Sequence, residues 1–297
     1  MFSKRTLKSS SVITSRKVGS DNIVENYEPN SSFRSLRWGL HSSFSSYFHA
    51  THDTAVIERF SLLEDAAQLT PHGTTILALR FAEGVVMAGD RRATEGFSIA
   101  NRTIEKVFSA DDYSVVAIAG AAGPAIELVR LYQVELEHYE KIEGRRLSLD
   151  GKANRLGEMV RQHLPLAMQG LSVVPLFAGY DLSRKVGRIY KFDVTGGRYE
   201  DSDFYATGSG GTHARSYIKQ NWHENLSRVE ALEIVLGALI DAADEDVATG
   251  GPDLLRQIYP NISVVTGDGI KTVDDEEIAG IVDRHLASLR VRYTDEE

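Results

Sequence analysis

The chain has 297 residues, 42% of them hydrophobic, and no cysteine. That content suffices for a core-forming protein, while the missing thiol excludes disulfides, thiolate metal sites and a cysteine nucleophile together. The net charge of −9 is concentrated after residue 73, where 25 Lys/Arg face 35 Asp/Glu, so an acidic body argues against nucleic acid and anionic membrane as main partners.

The chain opens on MFSKRTLKSSSVITSRK, which lacks the apolar block of a secretory signal, and no stretch approaches the roughly 18 apolar residues of a membrane helix. Early acids at Asp21, Glu25 and Glu28 argue against an organelle transit peptide. Residues 1–73 are rich in Ser and Asn without sustained periodicity and read as a flexible leader. Only Ala55–Leu69 has helical spacing there, through Val56, Phe60, Leu63 and Ala67.

From Thr74 the pattern changes to short strands. TTILALRF at 74–81 and VVMAG at 85–89 flank Glu83-Gly84 and predict a hairpin. Lys106–Phe108 and Tyr113–Ala119 form a second pair around Asp111-Asp112. Gly120-Ala121-Ala122-Gly123-Pro124 then introduces a long helix with Ile126, Val129, Leu131, Val134 and Leu136 on its apolar face. A second helix over about 150–169 breaks near Pro165. Strands follow at 172–180, 188–193 and 203–208, and Ser227 through Glu230 is a capping box opening another helix. Strands at 261–266 and after Asp268-Gly269 precede a final helix near 275–289. Such blocks favour an α+β layered fold, with two antiparallel sheets stacked between helix layers, over an alternating βαβ sheet.

Six features carry potential chemistry. Gly73-Thr74-Thr75 opens a strand at the composition boundary. A threonine hydroxyl is a weak nucleophile without a base, and an N-terminal threonine brings one in its α-amino group, whose pKa is about 7.7–8. Cutting before Thr74 would create that base, and Gly73 leaves the bond unhindered. Asp90-Arg91-Arg92-Ala93-Thr94 follows the second strand, and Lys106 opens a later one. A cation held by Asp90 would favour the neutral amine and stabilise a developing alkoxide, although DRR equally suits an ion-paired surface turn. Ala119 to Gly123 offers backbone N–H groups at a helix start, where an oxyanion could bind. Ala206 to Gly211 is another glycine turn leading into a helix, without the Lys-Ser/Thr of a P-loop. The stretch from Asp244 to Asp253 is acidic but does not match EF-hand spacing, and no histidine pair has metal-binding spacing. Neither metal nor cofactor is expected.

In order, GTT, AGDRRAT, the strand-opening lysine, IAG, LFAGYD, GSGG and DxxTGGPD resemble the β subunits of the 20S proteasome, closest to the actinobacterial type, over about residues 73–268. The resemblance implies a four-layer αββα fold of the N-terminal nucleophile hydrolases, with residues 1–73 as a propeptide removed autocatalytically at the Gly73–Thr74 bond and 74–297 as the catalytic domain. It implies a threonine endopeptidase in which Thr74 is the nucleophile and its own amine the base. Asp90 and Lys106 would tune it, Gly120 N–H would donate to the oxyanion, and Ser209 and Asp246 would orient the amine and relay protons, with Thr249 beside them. Thr94 and Ala122 would align the substrate main chain as an added strand. Ala93, Ile104, Phe108, Ile118, Ala122 and Ile126 would line an apolar side-chain pocket. The implied partners are a proteasome α subunit, further β subunits in homo-heptameric rings stacked α7β7β7α7, an ATP-dependent unfoldase and polypeptide substrates, all in the cytoplasm. Two other readings are a non-catalytic ring subunit and the simpler two-ring bacterial protease. The joint presence of Thr74, Asp90, Lys106, Ser209 and Asp246 disfavours the first, and the long leader with TGGPD disfavours the second.

Overall fold

The computed structural model describes residues 73–96 and 98–294; the leader and the Ala55–Leu69 helix expectation lie outside the described residues. Strands β1 (Thr75–Phe81) and β2 (Gly84–Gly89) form the expected hairpin, with Ile76 opposite Gly89 and Phe81 opposite Gly84. They sit at the centre of an antiparallel sheet ordered β10-β1-β2-β11-β12, where β10 is Phe204–Gly208, β11 is Asn261–Thr266 and β12 is Gly269–Thr272. A second antiparallel sheet runs in chain order from β5 (Val107–Asp111) through β6 (Ser114–Gly120), β7 (Val173–Asp181) and β8 (Val186–Phe192) to β9 (Arg198–Asp201).

The near-continuous apolar runs of β1, β2, β6 and β7 have a physical cause, because these strands are buried on both faces. Ile76, Ala78, Val85 and Met87 of the first sheet meet Val115, Ala117, Leu176 and Ala178 of the second in an inter-sheet core. Their alternate neighbours Leu77, Leu79, Val86 and Ala88 point the other way, into a core shared with helices α4 (Gly211–Asn221), α5 (Arg228–Glu245) and α6 (Asp275–Thr294). On the far side, Val116, Ile118, Phe177 and Tyr190 pack under α1 (Ala122–Glu143) and α2 (Leu149–Gln162). The result is the four-layer αββα sandwich.

Ser227 caps α5 with both halves of the capping box in place, as expected from Ser227 and Glu230. The helix after residue 149 ends at Gln162, and the short turn α3 (Leu164–Ala167) takes Pro165 in its first turn, where the missing N–H costs nothing. Helix α1 buries Ala125, Leu128, Val129, Tyr132 and Leu136, whereas Leu131 and Val134, expected on the apolar face, are 49% and 61% exposed. A two-stranded ribbon of β3 (Ala93–Glu95) and β4 (Ser98–Asn101) was not expected; its Thr94 lies beside Gly73.

Candidate active site

Thr74 lies immediately before β1 and is 5% exposed. The flanking strands hold it: Ser209 N donates to Thr74 O at 2.8 Å, just beyond the Thr75–Gly208 pair. Gly73 cannot carry a side chain here, because a Cβ would run into Thr94 Oγ1 and lie 2.8 Å from Ala248 O. The Thr74 hydroxyl donates to Gly73 O at 2.7 Å, so it rests against the carbonyl of its own preceding bond.

Asp90 follows β2 and faces the same point from the neighbouring strand. Its carboxylate is fully buried and accepts four hydrogen bonds: Thr75 N at 2.7 Å and Lys106 Nζ at 2.6 Å on Oδ1, and Arg92 N and Gly250 N, each at 2.9 Å, on Oδ2. Four donors and an opposite charge offset the desolvation of a carboxylate that has lost all contact with solvent. Lys106 reaches across from the start of β5 in the second sheet. Its ammonium spends its three protons on Asp90 Oδ1, Arg92 O at 2.6 Å and Gly73 O at 3.1 Å. Burial pulls the Lys106 pKa below the ordinary lysine value, while Asp90 pulls it back up.

A second group approaches from the other side. Thr74 N is 3.4 Å from Ser209 Oγ, which in turn donates to Thr74 O at 3.1 Å. Asp246, at the end of α5, accepts Thr249 Oγ1 at 2.5 Å and Ala248 N at 3.2 Å, with the Ser209 hydroxyl close by. Burial pushes the Asp246 carboxyl up, but the Ser209 and Thr249 hydroxyls outweigh it and hold the carboxyl below the usual range. The acidic stretch therefore does not act as a unit: Asp246 turns inward, and Asp253 accepts Arg256 Nη1 at 2.9 Å.

Gly120 ends β6 with φ +109°, and a Cβ there would collide with Ser172 O, so only glycine fits comfortably. A cavity that opens on Gly73, Thr74, Lys106 and Gly120 is walled by Ala93, Ile104, Ile118 and Ala122. Thr94 stands beside Gly73. Phe108 and Ile126, also expected in the pocket, are not among its walls; they pack against the core beneath α1. Ala125 and Glu105 line the cavity and were not foreseen, nor were the main-chain donors Arg92 N and Gly250 N. Ala125 lies one residue from the expected Ile126 on the same helical turn, whereas backbone donors leave no signal in a sequence.

With this geometry in hand, the chain was compared with known proteins. The family described as Proteasome subunit matches residues 70–253. Relatives called Proteasome subunit beta are 61% identical over 225 residues in Acidimicrobium ferrooxidans, covering 75% of this chain and 82% of the relative. The counterpart in Acidothermus cellulolyticus is 56% identical over 222 residues, covering 73% and 77%. In Streptomyces griseus the figures are 55% over 225 residues, covering 76% and 80%.

Proposed function

Because the chain belongs to the proteasome subunit family in its β class, and so is a threonine-type endopeptidase that assembles with other proteasome subunits, we propose that Thr74 is its nucleophile, released by self-cleavage of the Gly73–Thr74 bond. The observation that carries this reading is the convergence of Thr74 Oγ1 and Lys106 Nζ on one carbonyl oxygen, that of Gly73.

In the uncut chain the Thr74 nitrogen is an amide and cannot take a proton. Lys106, an ammonium that donates to the Gly73 carbonyl oxygen, polarises that carbonyl, and the Oγ proton, already directed at the same oxygen, passes by way of it to the departing Thr74 nitrogen. Attack of Oγ on the Gly73 carbon and expulsion of the Thr74 nitrogen moves the acyl group from nitrogen to oxygen. Water then hydrolyses the ester, leaving residues 1–73 as a separate propeptide and Thr74 with a free amine. The body over 74–297 is the catalytic domain.

On a substrate, the free amine takes the Oγ proton as Oγ attacks the scissile carbonyl, and later passes it to the departing amine. Ser209 and Asp246 orient that amine, Asp90 keeps Lys106 charged and aimed, and the N–H of Gly120 meets the oxyanion. Thr94 and Ala122 align the substrate main chain, and Ala93, Ile104 and Ile118 receive an apolar side chain; the cavity walls support this preference. Phe108 and Ile126 pack against the core under α1 and do not line the cavity.

The rest of the assembly follows the family: homo-heptameric β rings stacked between α rings as α7β7β7α7, an ATP-dependent unfoldase feeding unfolded polypeptides, and a cytoplasmic setting. Leu131 and Val134 on the outer face of α1 are apolar groups that such an assembly would cover. Among the described residues no helix is long and apolar enough to cross a membrane.

The reading is tested by treating the active particle with a peptide β-lactone, which acylates hydroxyl nucleophiles, and mapping the adduct by peptide mass. An ester on the peptide that begins at Thr74 is the expected result. Acylation confined to another residue, with activity lost, overturns it.

A further inference from the structure

We propose that Thr75, the residue after the nucleophile, is a positioning residue of the site through its hydroxyl. The inference rests on the reading of Thr74 given above.

Thr75 is wholly buried at the start of β1, in a strand whose next four residues, Ile76 to Leu79, are buried and apolar. Shape alone would be served equally by valine, which avoids the cost of burying a hydroxyl. The hydroxyl is nevertheless fully engaged. Gly210 N donates to Thr75 Oγ1 at 3.0 Å, and Thr75 Oγ1 lies 2.6 Å from Thr249 Oγ1. The direction of this last bond is forced, because Thr249 has one hydroxyl proton and gives it to Asp246 Oδ2 at 2.5 Å. Thr75 must therefore donate to Thr249, and the chain runs one way, from Gly210 N–H through Thr75 and Thr249 to the Asp246 carboxylate.

The surroundings are cut to this chain. A Cβ at Gly210 would stand 2.6 Å from both Thr75 Oγ1 and Thr249 Oγ1, so the close approach of the two hydroxyls requires glycine there. Thr75 also joins the two halves of the site. Its main chain binds Asp90 twice, N to Oδ1 at 2.7 Å and O from Asp90 N at 3.0 Å, while its side chain is linked through Thr249 to Asp246, which lies close to Ser209. One residue thus fixes the lysine-bearing half and the amine-orienting half against each other, with Thr74 between them. Lys106 and His213 also act on Asp246 electrostatically, and neither would be altered by a change at 75.

The experiment uses particles assembled with the partner subunits and compares wild type, Thr75→Val, which keeps the shape and removes the hydroxyl, and Thr75→Ser, which keeps the hydroxyl and loses the methyl. Thr75→Val is expected to lower kcat about tenfold or more with KM within about twofold, since it misplaces groups without touching substrate. Thr75→Ser is expected to restore kcat to within about threefold of wild type. Thr249→Val, which breaks the next link, should match Thr75→Val, and the double variant should fall no further than the slower single. If Thr75→Val does not assemble, Thr75→Ser against Thr249→Val decides by the same criteria. Wild-type kcat in Thr75→Val, or Thr75→Ser as slow as the valine variants, overturns the proposal. Thr74→Ala is run in parallel: turnover in that variant defeats the nucleophile reading itself, whatever the Thr75 series shows.

Discussion

Lys106 Nζ donates to the carbonyl oxygen of Gly73 at 3.1 Å while its ion pair with Asp90 spans 2.6 Å. The cation that would tune a free N-terminal threonine therefore already touches the bond whose cleavage would free it. Breaking that contact should affect both leader removal and peptide hydrolysis. Lys106→Met is expected to slow each at least about 10²-fold, by loss of a preorganised charge in a water-poor site. It should also destabilise the subunit by about 3–5 kcal/mol, because Asp90 would stay buried without its partner. Precursor conversion on gels, peptide kinetics and denaturant melts would measure the three effects separately.

Gly73 makes a narrower prediction. A Cβ at this position meets Thr94 Oγ1, Ala248 O and Ala248 Cβ, so Gly73→Ala should shift the carbonyl away from Thr74 Oγ1 and Lys106 Nζ. Conversion of the precursor is expected to slow about tenfold or more. Once cut, the particle carries no residue 73, so kcat and KM of the matured enzyme should equal wild type. A time course of intact mass followed by peptide kinetics checks both.

Pocket chemistry predicts side-chain preference. With Ala93, Ile104, Ile118 and Ala122 as walls, a charged side chain would be desolvated without a partner among them. Fluorogenic peptides ending in Tyr should be cut at least about tenfold faster, in kcat/KM, than those ending in Arg or Asp. Glu105 also borders this cavity and is exposed, so arginine is expected to be the less disfavoured of the two charged ends.

Away from the site, Arg188 is buried among Asp150, Asp181 and Glu200 at 2.7 to 3.0 Å. Hydrogen bonds from Arg188 hold Asp150 and Glu200 below their ordinary values of 3.8 and 4.5. A carboxylate with a lowered folded pKa stabilises the fold above its unfolded pKa and loses that contribution as pH falls through the folded one. Arg188→Met should cost the unassembled subunit about 3 kcal/mol at pH 7. This is the low end for a buried pair, since Asp150 and Glu200 are 40% and 45% exposed. The gap from wild type should narrow as pH drops below about 4, where wild type begins to lose the same contribution. Urea melts at pH 7 and pH 3.5 would show it.

Much of this architecture is legible in the sequence because strands buried on both faces leave long apolar runs, as in β1 and β7. Where burial is partial the signal fails. Strand β9, Arg198–Asp201, is a polar edge strand, and the β3 and β4 ribbon is largely exposed, so neither has an apolar run to announce it. In α1, apolar residues surround the helix, and periodicity alone could not choose Ala125, Leu128 and Tyr132 over Leu131 and Val134. The site divides similarly. Thr74, Asp90 and Lys106 stand in short motifs whose chemistry can be argued residue by residue. The donors that satisfy Asp90, Arg92 N and Gly250 N, are main chain, and the link from Thr75 to Thr249 joins residues 174 apart. Only the folded chain brings these together.

The most direct test of the self-activating threonine is the intact mass of the β chain, wild type and Thr74→Ala, after each is assembled with its partner proteasome subunits. The account predicts that wild type loses residues 1–73 and gains peptidase activity, while Thr74→Ala keeps its leader and remains inactive. If Thr74→Ala sheds the leader at the same bond and at the wild-type rate in the purified particle, or if wild type hydrolyses peptides with the leader still attached, Thr74 is not the group that cuts, and the account fails.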